Sequence, residues 1–407
     1  RQAGGTDGLC CTEKIGRRST DRFLRAFLIE LRILELEKDE TTDSSLKSKP
    51  PKVSHLLSQN HDPTTKFPGR SIMSSNLFLT PEDARKLIHD ALLGAGTSPE
   101  NAEYFTEAIL DTELSGLEGH GFYWLQYYCS HLLSGKVDGK VIPKIDAVSK
   151  TCFRVDALHG FAHPAIEAGF RHLIPAAREH GISVMTVYNS YNAATLGFHT
   201  GYLARAGLLA FGATNVAPVV APPGGNIPVI GTNPISFAVP APEGEVAFLV
   251  DQSTTEVSWT TLKRAIEQGE SIPFGWALDA EGKPTNDPEQ GLTGSMVPAG
   301  GVKGFNIGLL VEVLCSALTG AKLGTQQGSF IEEDGQPIDN GQFFLAIEPQ
   351  MQSGGTFNET ISELMASITE QDGTRLPNAR RQENRQRLMR EGIPIEKELF
   401  ETLQAFA

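Results

Sequence analysis

With 407 residues, 40% of them hydrophobic and 21% charged, and with 41 glycines and 24 prolines, the chain has the proportions of a globular α/β protein. Its length suits two domains, or one large domain with an extension. A formal net charge of −14 excludes the basic footprint that a nucleic-acid partner needs, and no apolar run is long enough to span a bilayer.

Residues 1–72 differ in character from the rest. Phe23, Phe27, Leu31 and Leu34 keep helical spacing, but the Ser-, Pro- and Lys-rich stretch after them cannot bury enough apolar surface to fold. Acids in this segment argue against a transit peptide, so 1–72 is expected to be a disordered or mis-started extension, with the folded part beginning near Met73. Thr80-Pro81-Glu82-Asp83 supplies an N-cap, a proline at N1 and first-turn acids, and Ser98-Pro99-Glu100 repeats the device after the break at Gly94–Gly96. A helical hairpin to about Leu114 follows, then a third helix over Phe122–Leu133. Short apolar segments bounded by Gly, Pro or Asn predict strands at Cys152–Val155, Ser183–Val187, Leu208–Thr214, Ser236–Val239, Val246–Val250 and Phe343–Ile347. Helical patterns occupy Pro164–Glu179, Leu196–Ala206, Val302–Leu318 and Phe357–Glu370. The order reads as α/β: one sheet domain, flanked by a helical portion built from both ends of the folded chain.

His159 and His163 have the spacing of metal ligands on a helix, but Gly160 and Pro164 break such a helix and no acidic or Cys partner adjoins them, so both are read as structural and no metal is expected. Cys10, Cys11, Cys129, Cys152 and Cys315 form no CxxC and no framework, which predicts reduced thiols in a cytoplasmic protein. GxGxxG is missing between a strand and a helix, as are GxxxxGK[ST], HExxH and GxSxG. Motifs alone therefore stop short of a nucleotide.

Several stretches taken together carry the argument further: Leu114–Gly121 (LSGLEGHG), Asn189–Leu196 (NSYNAATL), Ala221–Pro234 (APPGGNIPVIGTNP), Val250–Thr255 (VDQSTT), Gly275–Asp287 (GWALDAEGKPTND), Ala299–Gly320 (AGGVKGFNIGLLVEVLCSALTG) and Arg375–Arg381 (RLPNARR). In this order they resemble the malate/L-lactate dehydrogenase family of the second, non-Rossmann type. That family takes in ureidoglycolate dehydrogenase, 2,3-diketogulonate reductase and the piperideine/pyrroline-2-carboxylate reductases. The likeness runs from residue 77 to the end. It implies a nucleotide-binding domain with a largely antiparallel sheet over 151–345, a helical part over 73–150, and C-terminal helices over 346–407 that pack on that part. It also implies a homodimer and an NAD or NADP cofactor. The reaction implied is hydride transfer to and from C2 of a small 2-oxo, 2-hydroxy or cyclic 2-imino acid.

Read residue by residue, His120 lies on a bend between Gly119 and Gly121, where the backbone is open to a ligand. The resemblance makes it the catalytic acid, a task that suits an imidazole because it exchanges protons near neutral pH; from the residues alone it is a loop histidine. Asp251 closes an apolar strand ahead of Ser253-Thr254-Thr255. In relatives this carboxylate supports the histidine, and the Asp251, Gln252 and Ser253 segment holds nucleotide; the plain alternative is a strand-end cap. Lys303 and Gly304, in Gly300-Gly301-Val302-Lys303-Gly304, match a family site for substrate and cofactor. A glycine-rich turn entering a helix presents amides and an ammonium to an anion, and a merely solvated lysine is disfavoured at that helix end. Thr232 matches a substrate-contacting threonine, or simply turns the chain before a strand. Asn192, Ala193 and Ala194 match a cofactor-binding segment. Pro377, Asn378 and Arg381 belong to a run resembling RLPGxRR, which in relatives touches the dinucleotide near its phosphates, while a basic helix start is the alternative. Asn378 replaces glycine there and tolerates a left-handed backbone better than most residues.

Three departures bear on substrate. Gly119 stands where many relatives carry a serine, Trp124 where they carry an arginine that grips the substrate carboxylate, and Asn192 where a second histidine often occurs. Exchanging a bidentate cation for an indole favours a flat, partly apolar substrate, such as pyrroline- or piperideine-2-carboxylate, over malate. The same departures motivate the alternative of a catalytically silent nucleotide-binding homologue; joint retention of His120, Asp251 and Lys303 counts against it.

Overall fold

The computed structural model describes residues 76–117 and 119–407. The extension expected over 1–72 lies outside the described residues. Thr80 accepts the Asp83 amide at 3.1 Å and starts α1 (Pro81–Gly94), after the short strand β1 (Asn76–Leu79). Ser98 accepts the Asn101 amide at 3.3 Å and starts α2 (Pro99–Leu114), and α3 (Phe122–Leu133) completes the hairpin-plus-one array. The chain then forms β2 (Lys144–Ser149), β3 (Cys152–Asp156), α4 (Ala162–His180), β4 (Ile182–Ser190), α5 (Leu196–Arg205), β5 (Leu209–Thr214), β6 (Ile235–Pro240) and β7 (Val246–Gln252). Next come α6 (Trp259–Gln268), β8 (Ala277–Leu278), β9 (Pro284–Thr285), α7 (Pro288–Thr293), β10 (Ser295–Met296) and α8 (Val302–Glu312). The last elements are β11 (Asn340–Ile347), α9 (Pro349–Ser353), α10 (Phe357–Thr369), α11 (Ala379–Glu391), β12 (Ile393–Glu396) and α12 (Lys397–Gln404).

The main sheet has seven strands in the order β2-β3-β4-β11-β5-β6-β7. Only β3 and β4 run parallel, and α4 makes the crossover that a parallel pair requires. Every other neighbour is antiparallel, as the non-Rossmann reading expects. Adjacent residues of β11 face opposite sides, so Phe344 packs with Ile166, Phe170 and Leu173 of α4, whereas Phe343 meets Val311 and Cys315 beyond the other face. Three two-residue strands, β8, β9 and β10, make a small second sheet.

Both ends of the described chain meet in the helical layer. β1 pairs antiparallel with β12, from Asn76 opposite Glu396 to Leu79 opposite Ile393. Ile393, Ile395 and Leu403 join Phe105, Leu125 and Tyr128 in one buried cluster. The predicted helix over 302–318 is α-helical only to Glu312 and continues as a π turn over Val313–Ala317. Glu312 is buried there and accepts bonds from Asn233 Nδ2 (2.8 Å), the Gly324 amide (2.7 Å) and Ser316 Oγ (3.1 Å), which hold the widened turn.

One reading is corrected. His159 does have an acidic partner, since its Nδ1 lies 2.6 Å from Asp339 Oδ1, and Lys322 pairs with the other Asp339 oxygen at 2.6 Å. That carboxylate arrives from 180 residues on, beyond any local pattern. Pro164 also sits within the first turn of α4 rather than stopping it, because a proline there removes no intrahelical bond.

Candidate active site

Ser115 closes α2, Gly116 turns at φ +71°, and the His120 amide bonds the Leu117 carbonyl at 2.8 Å, so His120 is presented on a tight bend before α3. Gly121 leaves room for Glu113: a Cβ there would lie 2.0 Å from Glu113 Oε1, the carboxylate that accepts the Phe122 amide at 2.5 Å, so a side chain at 121 would push that carboxylate away. At Gly119 a Cβ would meet the Thr260 methyl at 2.7 Å, so α6 fills the space that a serine in this position would need.

Asp251, at the end of β7, has a side chain only 9% exposed. Arg381, in the first turn of α11, donates Nη1 to Asp251 Oδ2 at 2.9 Å and Nη2 to the Asp251 carbonyl at 3.2 Å. Gly197 of α5 lies against this pair, since a Cβ there would fall 2.9 Å from Oδ2 and 3.1 Å from Nη1. His120 feels both partners. Burial depresses its pKa below the ordinary imidazole value, Asp251 pushes it back up, and Arg381 pushes it down. No side-chain hydrogen bond joins His120 to Asp251 among the described residues; the carboxylate acts through space while its own bonds go to Arg381. Arg381 was expected at the cofactor and is found holding Asp251, a contact across 130 residues that no sequence pattern announces.

The Asn192 loop is held by three hydrogen bonds, one of them internal. Tyr128 donates its hydroxyl to Asn192 Oδ1 at 3.4 Å, the Ala194 amide donates to the same oxygen at 2.7 Å, and His199 Nε2 bonds the Ala193 carbonyl at 3.1 Å. Ala194 adopts φ +50°, an uncommon value for a residue with a Cβ. Thr195, the N-cap of α5, makes no capping bond and faces Thr112 instead at 3.1 Å. Thr232 offers its carbonyl to both the amide and the hydroxyl of Thr254 at 2.9 Å. Ser253 Oγ bonds the Thr255 carbonyl at 3.2 Å, and Gln252 is exposed beside it.

Lys303 is exposed on the first turn of α8, after Gly301 at φ +64°, and no ion pair links it to Asp251 among the described residues. Gly304 is required where it stands, because a Cβ would lie 2.2 Å from the Ala299 carbonyl oxygen. Asn378 takes φ +75° at the head of α11, so the Gly-to-Asn exchange is accommodated by a residue that tolerates this region. Pro377, Asn378 and Arg381 line a cavity of about 500 Å³ with Ser115, Gly116 and Leu117. A second cavity of about 550 Å³ shares Ser115, Asn378 and Arg381 with it and continues past Gly197 to Arg205.

Trp124 is 7% exposed and packs its ring against Tyr123, Tyr127 and Phe330 at centroid distances of 5.0, 5.1 and 4.9 Å, with Trp259 at 6.1 Å. Trp124 is thus one plate of an aromatic box packed into the core of the helical layer. Phe330 was not anticipated, because it enters from a loop some two hundred residues downstream (Phe330 against Trp124) and no pattern marks it.

A dinucleotide fits the donor set. Arg375, Arg380 and Arg381 line one cavity, and Arg381, Asn378 and Gly197 in the first turn of α5 line the other, so the two offer the cationic groups and helix N-terminus that a pyrophosphate requires. Residues 79–404 match the sequence profile described as malate/L-lactate dehydrogenase. The chain is 38% identical over 325 residues to the (2R)-3-sulfolactate dehydrogenase (NADP(+)) of Chromohalobacter salexigens, covering 80% of this chain and 96% of that one. It is 34% identical over 336 residues to the Delta(1)-pyrroline-2-carboxylate reductase of Ancylobacter novellus, covering 82% and 98%. The crystal structure of delta1-piperideine-2-carboxylate reductase from Pseudomonas syringae superposes with a TM-score of 0.77 at 32% identity, over 81% of this chain and 100% of that one.

Proposed function

The chain belongs to the malate/L-lactate dehydrogenase family and is an NAD(P)-dependent oxidoreductase, and on that premise we propose that it moves hydride to and from C2 of a small 2-oxo, 2-hydroxy or cyclic 2-imino acid with His120 as its acid–base group. The observation that carries this reading is the meeting of His120, Asp251 and Arg381 beside the cavity at Leu117 and Asn378. Bound nicotinamide supplies and takes back the hydride, the difficult part of the chemistry. His120, kept neutral near pH 7 by burial, takes the substrate hydroxyl proton in oxidation and, when protonated, returns it to the oxygen or nitrogen on C2 in reduction. Asp251 stabilises the imidazolium through space. Asn192, Ala193, Ala194, Gln252, Ser253, Gly304, Pro377, Asn378 and Arg381 hold the dinucleotide. Lys303 and Thr232 orient the substrate carboxylate, and Gly119 and Trp124 shape the wall opposite.

Within that class a cyclic 2-imino acid is favoured. The support is the box of Trp124, Trp259 and Phe330 in place of an arginine, together with the named activities of two relatives. The test is an NAD(P)H-absorbance screen over 2-oxo acids and cyclic imines, run beside His120→Ala. Pyrroline- or piperideine-2-carboxylate is expected to exceed open-chain 2-oxo acids by about tenfold in kcat/KM, the scale on which an apolar pocket discriminates. Malate oxidised as well as the imines are reduced overturns the preference; NAD(P)H binding without turnover on any substrate overturns the enzyme in favour of a silent homologue.

A homodimer is part of this reading. Val302, Ile307, Leu309 and Leu310 leave apolar side chains exposed along α8, and α10 has no buried residue in its own chain. A cytoplasmic location is supported by the free thiols of Cys129, Cys152 and Cys315. Among the described residues no helix is long and apolar enough to cross a membrane.

A further inference from the structure

Arg381 reaches from the first turn of α11 across to β7, and its guanidinium lines both cavities described above. Of the pair it forms, the Arg381 side chain is 24% exposed and the Asp251 side chain 9%, so an arriving anion meets the guanidinium first. The pair lies against Gly197 near the open N-terminus of α5. A phosphate drawn there by the helix amides competes directly with Asp251 for Arg381, and a bidentate grip serves phosphate as well as carboxylate.

We propose that Arg381 is exchanged between two anions: it holds Asp251 in the free enzyme and leaves it for a phosphate of the bound dinucleotide, handing the Asp251 carboxylate to His120. This rests on the reading above that the dinucleotide lies beside α11. Arg381 is then a positioning residue for the acid–base group. The charged groups that act on His120 are Asp251 from β7 and Arg381 from α11. Glu113 of α2 accepts the Phe122 amide, Glu267 of α6 accepts the Tyr123 hydroxyl at 2.9 Å, and Thr260, the α6 neighbour of Gly119, carries no charge. When Arg381 departs, a buried carboxylate loses its cation, and the nearest replacement is a proton taken from solvent onto the His120 imidazole. The proton donor becomes charged only once the cofactor is in place, which couples cofactor binding to readiness for reduction.

The exchange is read by calorimetric titration of the full chain with NADPH and with NADH at pH 7, in buffers of different ionisation enthalpy. Binding is expected to take up about half a proton per site, equivalent to a dissociation constant that rises about threefold per pH unit. His120→Asn is expected to bind the cofactor with no uptake. In the cofactor-free protein, NMR titration of the His120 ring in Arg381→Gln is expected to show a pKa above that of the wild type, while Arg381→Lys stays near it. Binding without proton uptake, uptake that survives His120→Asn, or a His120 titration unmoved by Arg381→Gln each overturns the exchange while leaving the proposed function standing. Failure of both dinucleotides to bind overturns the two together.

Discussion

His120 is the residue on which the chemistry turns, and its environment predicts both the size and the pH dependence of its role. Loss of a positioned acid–base group lowers rates by about 10²–10⁴-fold, so His120→Ala is expected to lose that much kcat while NAD(P)H binding, read by fluorescence, persists. Because burial and Arg381 place its pKa below 6.5, the free enzyme holds a neutral ring at pH 7. The reduction rate at low cofactor should therefore fall as pH rises through that lowered value, and oxidation should rise over the same interval; opposite limbs would remove His120 from the role. A second pH effect comes from His199, fully buried, whose pKa is lowered by burial from 6.5 to about 4. The folded state keeps this ring neutral whereas the unfolded chain protonates it below about 6.5, so its contribution is intact above that pH and is lost as pH falls toward 4. The loss is on the order of 3 kcal/mol. His163, stacked on Phe105 and likewise lowered by burial, adds to it. Urea midpoints between pH 7 and 4.5 check this, and His199→Gln should flatten the slope.

At the scale of elements, two turns set the site and each can be broken singly. Asn378 heads α11 with a left-handed backbone, so Asn378→Ala is expected to cost about 1 kcal/mol and Asn378→Gly to be close to neutral, as thermal melting would read. Gly121→Ala forces its methyl onto Glu113, the acceptor of the Phe122 amide. It should displace the bend that carries His120 and lower kcat more than it lowers cofactor affinity. The long, strongly patterned elements were legible in the sequence: α1 and α2 from their proline-led caps, α4 and α5 from helical spacing, and six strands of the main sheet from short apolar runs, whereas the mostly exposed edge strand β2 carries no such run. Elements that carry little local signal were not. β1 and β12 have four residues each, and their apolar residues matter only because they pair with one another. α11 is almost entirely polar, with Leu388 as its single buried residue, so periodicity had nothing to detect.

For the whole molecule, the exposed apolar stripe of α8 and the unburied α10 predict that the chain sediments as a dimer. Leu310→Glu, at a side chain 54% exposed in the single chain, should shift it to monomer without lowering the thermal stability of the fold itself by more than about 0.5 kcal/mol. A wild type that sediments as a monomer removes the homodimer from the proposal.

Local chemistry along the chain was enough to determine the α/β class, most of the helix starts, the glycine-flanked bend at His120 and, through the ordered set of matching segments, the family. Tertiary structure alone decided who meets whom. The Asp251 carboxylate was available in the sequence to His120, to Arg381 or to solvent, and the fold gave its hydrogen bonds to Arg381, 130 residues away. Trp124 was readable as a pocket wall or as core until Trp259 and Phe330 closed around it. The physical reason is common to both: periodicity and capping act within a turn or two of the chain, whereas ion pairing and ring packing depend on distances that only the folded path sets.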